Sequence, residues 1–551
     1  MAESGKINAV DLANIAKLDA VDAANIAKVN GLTFTQAPAF LLDTYTGATA
    51  GYSVRRLATS ATNLMRIRED AGDTETDIGY DSNNQLDTAA IASHCGTANG
   101  YVVTWYDQAS SNNATQGTEA SQPQIYDGTT QAVIEDNGKP ACKGGNFTVS
   151  ASSQVSQPLT VTTVSERYGI DAASAELLRS TDVTFIFGHR FGGYRWQAPN
   201  FANNLSVSNS GQNNLTAIFN GSNSTLHDNG TAISMGDPGN GNLGVTRTVG
   251  VPNYFFYQEC VIWPSDQDSN RTGIESNVNS NYLIYQPTDT PTSGLLATYS
   301  GAAAAYSVRQ LADTAVMSMR VRRDSDDEEQ NFGFDSNGDL DTAGIAAFCG
   351  SANGYVSRWW DQSTNGNHAD QATDTSQPQI YNGSAVITEN GKPALDFIAT
   401  RFMQSGNVIT DENVSCIGVA TAITQVQTVQ ALVSAQSGIN VGYELIYVTP
   451  NMSWRCRTSD LDVAQSQDAQ SLIFADYNGA SQELAVNGAN STQSSLQTFS
   501  LTDDLMIGSR SQGAAQQPWG GTIQEVLIYN TSQSSNRTGI TTNVNTYFSI
   551  Y

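Results

Sequence analysis

The sequence predicts an all-β chain: two tandem β-sandwiches preceded by a short N-terminal segment. Three observations carry this. First, residues 52–140 are written again at 306–393. Tyr52-Ser53-Val54-Arg55 recurs as Tyr306-Ser307-Val308-Arg309, and Trp105-Tyr106-Asp107-Gln108 as Trp359-Trp360-Asp361-Gln362. Second, strand-like runs rich in β-branched and aromatic residues, such as Tyr443–Val448 and Ile523–Tyr529, dominate both copies. Third, Asn-Gly pairs stand at matching places: 220–221 with 478–479, and 229–230 with 487–488. Asn-Gly supplies the positive φ that a tight hairpin needs.

The duplication sets the domain limits. The register is 254 over the first motifs (306 − 52 and 361 − 107) and 266 at Ser269–Ile274 against Ser535–Ile540 (535 − 269). Copy two therefore carries 12 extra residues (266 − 254), expected in its middle. The predicted organisation is an N-terminal segment over 1–36, a first sandwich over 37–286, a linker over 287–293 and a second sandwich over 294–551. Pro287 and Pro291 hold the linker semi-extended. Each unit is about 250 residues, too long for a solenoid repeat and suitable for one all-β domain. Helical signals are few. Leu86–Ala92 and Leu340–Ala347, each opened by an Asp-Thr pair, predict short helices, and 272–282 and 538–547 a closing one.

Residues 7–28 contain a repeat of period eleven, which makes almost three helical turns. Ile7, Val10 and Ile15 with Leu18, Val21 and Ile26 are expected to form one apolar helical stripe. Such a stripe serves as a docking segment, as a self-association stripe, or as a helix packed on its own first domain. The spacer Val29–Leu32 and Gln36–Pro38 favours docking.

Composition bounds the partners. The formal charge is −27 with only 26 basic residues. Nucleic-acid binding is not expected, because a duplex-binding face needs clustered Lys and Arg to displace counterions. The main basic run, Arg320–Arg323, is followed at once by Asp324, Asp326, Asp327, Glu328 and Glu329. No run is long and apolar enough to suggest membrane insertion, and the hydrophilic opening Met1–Lys6 does not read as a signal peptide. Six cysteines are too few for a disulfide scaffold and are expected to be buried thiols, fitting synthesis in a reducing cytoplasm.

The motif set Tyr52–Leu57, Met65–Arg68, Asp77–Asp81, Leu86–Thr88 and Trp105–Gln108 resembles the catalytic domain of fungal-type α-L-arabinofuranosidase B. Copy two matches it better, through Phe332–Asp335, Leu340–Thr342 and Asp361–His368. The resemblance implies concanavalin A-like (jelly-roll) sandwiches. The second half of each copy is similar to generic laminin-G or lectin-type domains. Asn25–Leu32 looks like the leaders of structural proteins from marine bacteriophages.

Retaining glycosidases use two carboxyl groups about 5–5.5 Å apart. The resemblance places the nucleophilic Glu in a strand matched here by Asn451–Arg457, and the acid/base Asp in a loop matched by Gly508–Gly513 or, in copy one, Gly244–Arg247. None of these segments holds an acid. The expectation is therefore no catalytic residue and no enzyme. Glu259, Glu525, Asp107 and Asp361 are expected to be structural, and Trp105 and Trp359 core. The four histidines lack metal spacing. No cofactor is expected. Asp335, Asn337, Asp339 and Asp341 form a candidate calcium turn, with a polar turn capping a helix through Asp341 as the favoured alternative.

The reading that results is a non-catalytic bacteriophage virion protein, a head or tail fibre or decoration, made in the host cytoplasm and homo-oligomeric in the particle. Its N-terminal segment would contact other virion proteins and its lectin-like domains host-surface glycans. The alternatives are a secreted arabinofuranosidase-type hydrolase and a ligand-free structural cement.

Overall fold

The computed structural model describes residues 40–551 apart from 168–174, 191–192, 205–210, 251–254, 399, 424–428, 439–440, 457–458, 496, 498–501 and 511–516. Before residue 40 it describes six two-residue strands. The described residues form two compact units: those up to Ile134 with Pro140–Glu275, and Glu135–Lys139 with Ser276–Tyr551. The division falls within the helix Arg271–Tyr282. Thr292, in the expected linker, donates its backbone N–H to Asp313 at 2.9 Å within the second unit.

Each copy is an antiparallel sandwich. In copy one the strand Leu159–Arg167 lies between Gln212–Phe219 and Phe255–Trp263, and the latter also pairs with Ala50–Ser53. A second set of strands runs Phe147–Ser150, Thr246–Val249, Ala175–Ser180, Phe185–Arg190, Gly193–Gln197 and Phe201–Asn204. Copy two repeats both with Val414–Ala422 between Gln470–Tyr477 and Gly521–Tyr529. Its second set is Met403–Ser405, Leu505–Ile507, Val429–Gly438, Val441–Val448, Asn451–Cys456 and Ser459–Ala464. Even the bulge recurs, between Val164 and Ser165 and between Val419 and Ala420. The all-β expectation holds.

The local signals act as their chemistry dictates. Asn229-Gly230 and Asn487-Gly488 have positive φ at both positions and close two-residue hairpins, Asp228 facing Thr231 and Val486 facing Ala489. Asp87 and Asp341 cap the helices Thr88–Cys95 and Thr342–Cys349 by accepting from Ala90 and Gly344 backbone N–H groups. All six cysteines are buried and unbridged. Among the described residues no helix is long and apolar enough to cross a membrane.

Paired strands give the extra residues of copy two their place. Val249 matches Ile507 and Tyr257 matches Ile523, so eight of the 12 fall just before the last strand ((523 − 257) − (507 − 249) = 8) rather than in the middle.

The N-terminal expectation of a helix is corrected. Lys6–Ile7 pairs with Val10–Asp11, Lys17–Leu18 with Val21–Asp22, and Lys28–Val29 with Leu32–Thr33, three antiparallel ladders at a pitch of eleven. Ile7 therefore faces Val10 and Leu18 faces Val21 across a ladder, instead of stacking along a helix. The sequences between the paired strands, Asn8-Ala9, Asp19-Ala20 and Asn30-Gly31, each open on Asn or Asp, residue types that favour a turn over a helix interior. Ile15 and Ile26 lie outside the described residues.

Candidate functional site

The polar residues that both copies share serve the scaffold. Glu259 is fully buried and accepts from Arg55 Nε at 2.8 Å and Ser53 Oγ at 2.7 Å. Glu525 does the same with Arg309 Nε at 2.7 Å and Ser307 Oγ at 2.7 Å. Asp361 accepts backbone N–H groups of Ala305, Ser363 and Asn367 at 2.8, 2.8 and 2.9 Å, and Asp107 those of Gly51 and Ala109 at 2.8 and 2.9 Å. Both aspartates thus pin the loop after a central strand. Trp105 and Trp359 are fully buried.

The calcium candidate divides into separate roles. Asp335 accepts from Asn337 and Asp339 backbone N–H groups, Asp341 caps its helix, and Asp339 accepts from Lys392 and the Tyr547 hydroxyl. Among the described residues no group of three or more His, Cys, Asp or Glu is arranged to hold a metal.

The site that sequence inspection missed is a row across four strands of copy two. Ser434 faces Glu444, Glu444 faces Arg455, and Arg455 faces Asp460. In a strand alternate residues point to opposite faces. Tyr443, Leu445 and Trp454 take the core side, so Glu444 and Arg455 stand on the other. Arg455 donates from Nε and Nη2 to the two oxygens of Asp460 at 2.8 and 2.9 Å, and from Nη1 to Glu444 at 3.1 Å. Arg510, from the segment inserted before the last strand, pairs with Glu444 through Nε and donates from Nη2 at 2.8 Å. The hydrogen bond to Asp460 raises the Arg455 pKa. Glu444 is fully covered, while the Arg455 and Arg510 side chains keep 22% and 19% of their surface. One interior carboxylate thus fixes two half-open guanidinium forks, an array of directed N–H donors.

Copy one rebuilds this face with other residues. Glu176 holds Arg179 at 3.4 Å and Arg195 at 3.5 Å, and Arg195 also donates to Gln197 at 3.2 Å. By strand register Ile186 and Gln197 stand where copy two has Glu444 and Arg455. The signal for the row in copy two was present as alternation: Tyr-Glu-Leu at 443–445 and Ser-Asp-Leu-Asp-Val at 459–463.

No family model and no curated protein matches the chain. Solved structures do. One is a GH54 α-L-arabinofuranosidase soaked with a cyclic sulfate inhibitor: 15% identity, TM-score 0.36, with 44% of this chain and 62% of that one covered. Another is an arabinofuranosidase complexed with arabinofuranosyl-α-1,2-xylobiose: 12% identity, TM-score 0.34, with 65% and 82% covered. A third is the Ruminococcus gnavus IT-sialidase CBM40 bound to α2,3-sialyllactose: 16% identity, TM-score 0.22, with 25% and 84% covered. The chain spans less than two thirds of the first of these. Such likenesses speak to the fold alone. They nevertheless correct the expectation that the chain is not an enzyme, since similar structures include glycosidases. Asn451–Arg457 is free of acids, but Glu444 stands on the strand paired with it.

Proposed function

We propose that the chain is a glycan-recognising component of a bacteriophage particle, presenting two sandwich domains behind an N-terminal docking segment. The observation that carries the glycan reading is the row Ser434–Glu444–Arg455–Asp460 with Arg510. Sugar hydroxyls need donors and acceptors held in place before binding, and guanidinium groups already clamped by a carboxylate lose little freedom on contact. Repetition on a particle multiplies a weak single-site affinity. The N-terminal reading draws on three like strand pairs at constant pitch, with Ile7, Val10, Leu18 and Val21 in the first two.

The test is a glycan array probed with the full chain and with Arg510→Ala. The expected outcome is a defined set of bound glycans and about tenfold weaker binding in the variant, a difference of about 1.4 kcal/mol. Binding that Arg510→Ala leaves untouched would move the site elsewhere.

A second reading, hydrolysis of an arabinofuranoside, draws on Glu444 and Asp460, two carboxylates bridged by one guanidinium. It expects release of nitrophenol from 4-nitrophenyl α-L-arabinofuranoside, lost in Glu444→Gln.

A further inference from the structure

A second cross-strand row of copy two is rich in donors and short of acceptors. Arg320 faces both Asn331 and Arg358, and Arg358 faces Asp370. Both guanidinium groups lie over the Trp360 ring, 5.6 and 4.8 Å from its centroid, and His368 meets the same ring edge-on at 4.5 Å. Arg358 gives Nε and Nη2 to the Asp370 carboxylate at 2.5 and 3.0 Å, which leaves Nη1. Arg320 donates from Nε alone, to Asn331 Oδ1 at 3.0 Å, and the nearest Glu329 oxygen stays 3.7 Å from its Nη1. The Trp360 indole N–H is buried and has no acceptor among the described residues. His368 accepts the Asp361 backbone N–H through Nδ1 at 3.1 Å, so the neutral ring carries its proton on Nε2. Burial, and after it Arg358, lowers its pKa to about 4. Arg320, Arg358, Trp360 and His368 thus all present N–H groups that no described residue accepts.

Copy one shows what closes such a row. Strand register equates Arg66 with Arg320, Asp77 with Asn331, Thr104 with Arg358 and Thr115 with Asp370, and Tyr106 holds the place of Trp360. There Asp77 receives Arg66 Nε and Nη2 at 2.7 and 3.1 Å and the Tyr106 hydroxyl at 2.7 Å. One carboxylate satisfies the arginine and the aromatic residue together. Copy two has an amide in its place, and the Nδ2 of that amide donates away from the row to Leu283 O at 2.9 Å. Copy two also has a second cation where copy one has Thr104. Like charges directly opposite on neighbouring strands repel. Arg320 and Arg358 stand that way, with 32% and 30% of their side-chain surface open to solvent.

We propose that Arg320 and Arg358, over Trp360, bind an external carboxylate, that of an acidic sugar, in the role Asp77 fills from within copy one. A carboxylate offers two acceptors in the plane that guanidinium N–H groups match, and its charge relieves the repulsion between the two arginines. The carboxylate follows from the row itself, while the sugar rests on the glycan reading above.

The test uses the full chain with its tryptophans labelled with nitrogen-15. Methyl glucuronide is the probe, methyl glucoside the neutral control and N-acetyl-aspartate methylamide the peptide-like carboxylate. The Trp360 indole N–H signal is identified by its loss in Trp360→Phe. The expected result is a shift of that signal on titration with the glucuronide, and at least tenfold weaker binding of the glucoside and of the aspartate derivative. Asn331→Asp, which returns the internal carboxylate of copy one, is expected to weaken glucuronide binding at least tenfold. Should that variant not fold, Arg358→Thr, the half-exposed position with the copy-one residue, decides the same point. Equal binding of glucuronide and glucoside, or glucuronide binding that leaves the Trp360 signal and both variants unaffected, would overturn the site. Tighter binding of the aspartate derivative would overturn the sugar. The glycan array with Arg510→Ala reads a different row, so either result can fail alone.

Discussion

The two copies share their buried electrostatics and differ in what they offer to ligands. Both keep a Ser–Arg–Glu set that ties the first strand of the sandwich to the last, Ser53–Arg55–Glu259 and Ser307–Arg309–Glu525, and both keep the Asp-Gln loop. On the outer sheet face, copy two has Glu444 with Arg455 and the inserted Arg510, while copy one has Glu176 with Arg179 and Arg195. Between the sheets, His189, Tyr194 and Asp228 of copy one stand where copy two has Tyr447, Met452 and Val486. The Ser–Arg–Glu set and the Asp-Gln loop are thus common to both copies, while the buried Glu444 and His189 each belong to one copy alone.

The shared pair gives the largest expected effect. Glu259 and Glu525 are fully buried against guanidinium groups that keep only 9% of their side-chain surface. Glu525→Ala leaves Arg309 buried without its partner, at a cost of about 3–5 kcal/mol. Glu259→Ala should cost copy one the same. Urea unfolding of each variant checks this, and a large asymmetry between the two would break the idea of a common scaffold. Replacing both partners by apolar residues of similar volume is expected to be far milder.

Phe397→Ala sharpens the comparison from the other side. Removing a fully buried ring costs about 3–5 kcal/mol, less if the corner collapses. At Gly144, the equivalent position of copy one by strand register, no side chain is present to lose. The variant should accordingly lower the melting of copy two alone, read by hydrogen exchange of peptides from each half.

What was legible in the sequence is what is local. Asn229-Gly230, Asn487-Gly488, the Asp87 and Asp341 caps and the Asp-Gln turn depend on neighbours a few residues away, so their residue types suffice. The Glu444 network joins residues from Ser434 to Arg510 through strand pairing, and no short window contains it. The N-terminal period of eleven is a repeat of paired strands and not of helical turns. Eleven residues fit three helical turns and equally fit a hairpin with a connector, and only the Asn30-Gly31 unit distinguishes them.

The smallest expected effect concerns acid. Burial lowers the His189 pKa to about 3, and Arg167 nearby acts in the same direction. His227 is lowered to about 4, chiefly by burial. A histidine with a lowered folded pKa binds fewer protons folded than unfolded between that value and about 6.5. The folded state therefore loses stability as pH falls below 6.5, by about 1.4 kcal/mol per unit for a fully buried group such as His189. His227 contributes less, being nearer solvent. Asp228, raised by burial, works oppositely: folded, it holds a proton that the unfolded chain has released, so acid favours it. Copy two has one lowered histidine, His368 at about 4, against two raised acids, Asp361 and Asp476. Between pH 6.5 and 4.5 the first sandwich should thus weaken relative to the second, and hydrogen exchange at pH 7 and pH 5, corrected for intrinsic rates, should show protection falling faster in peptides from Leu159–Arg167 than in those from Val414–Ala422. His189→Phe should abolish most of that difference. A variant that stayed as acid-sensitive as the original would place the cause outside the buried histidine, and the divergence between the two interiors would then carry no consequence for pH.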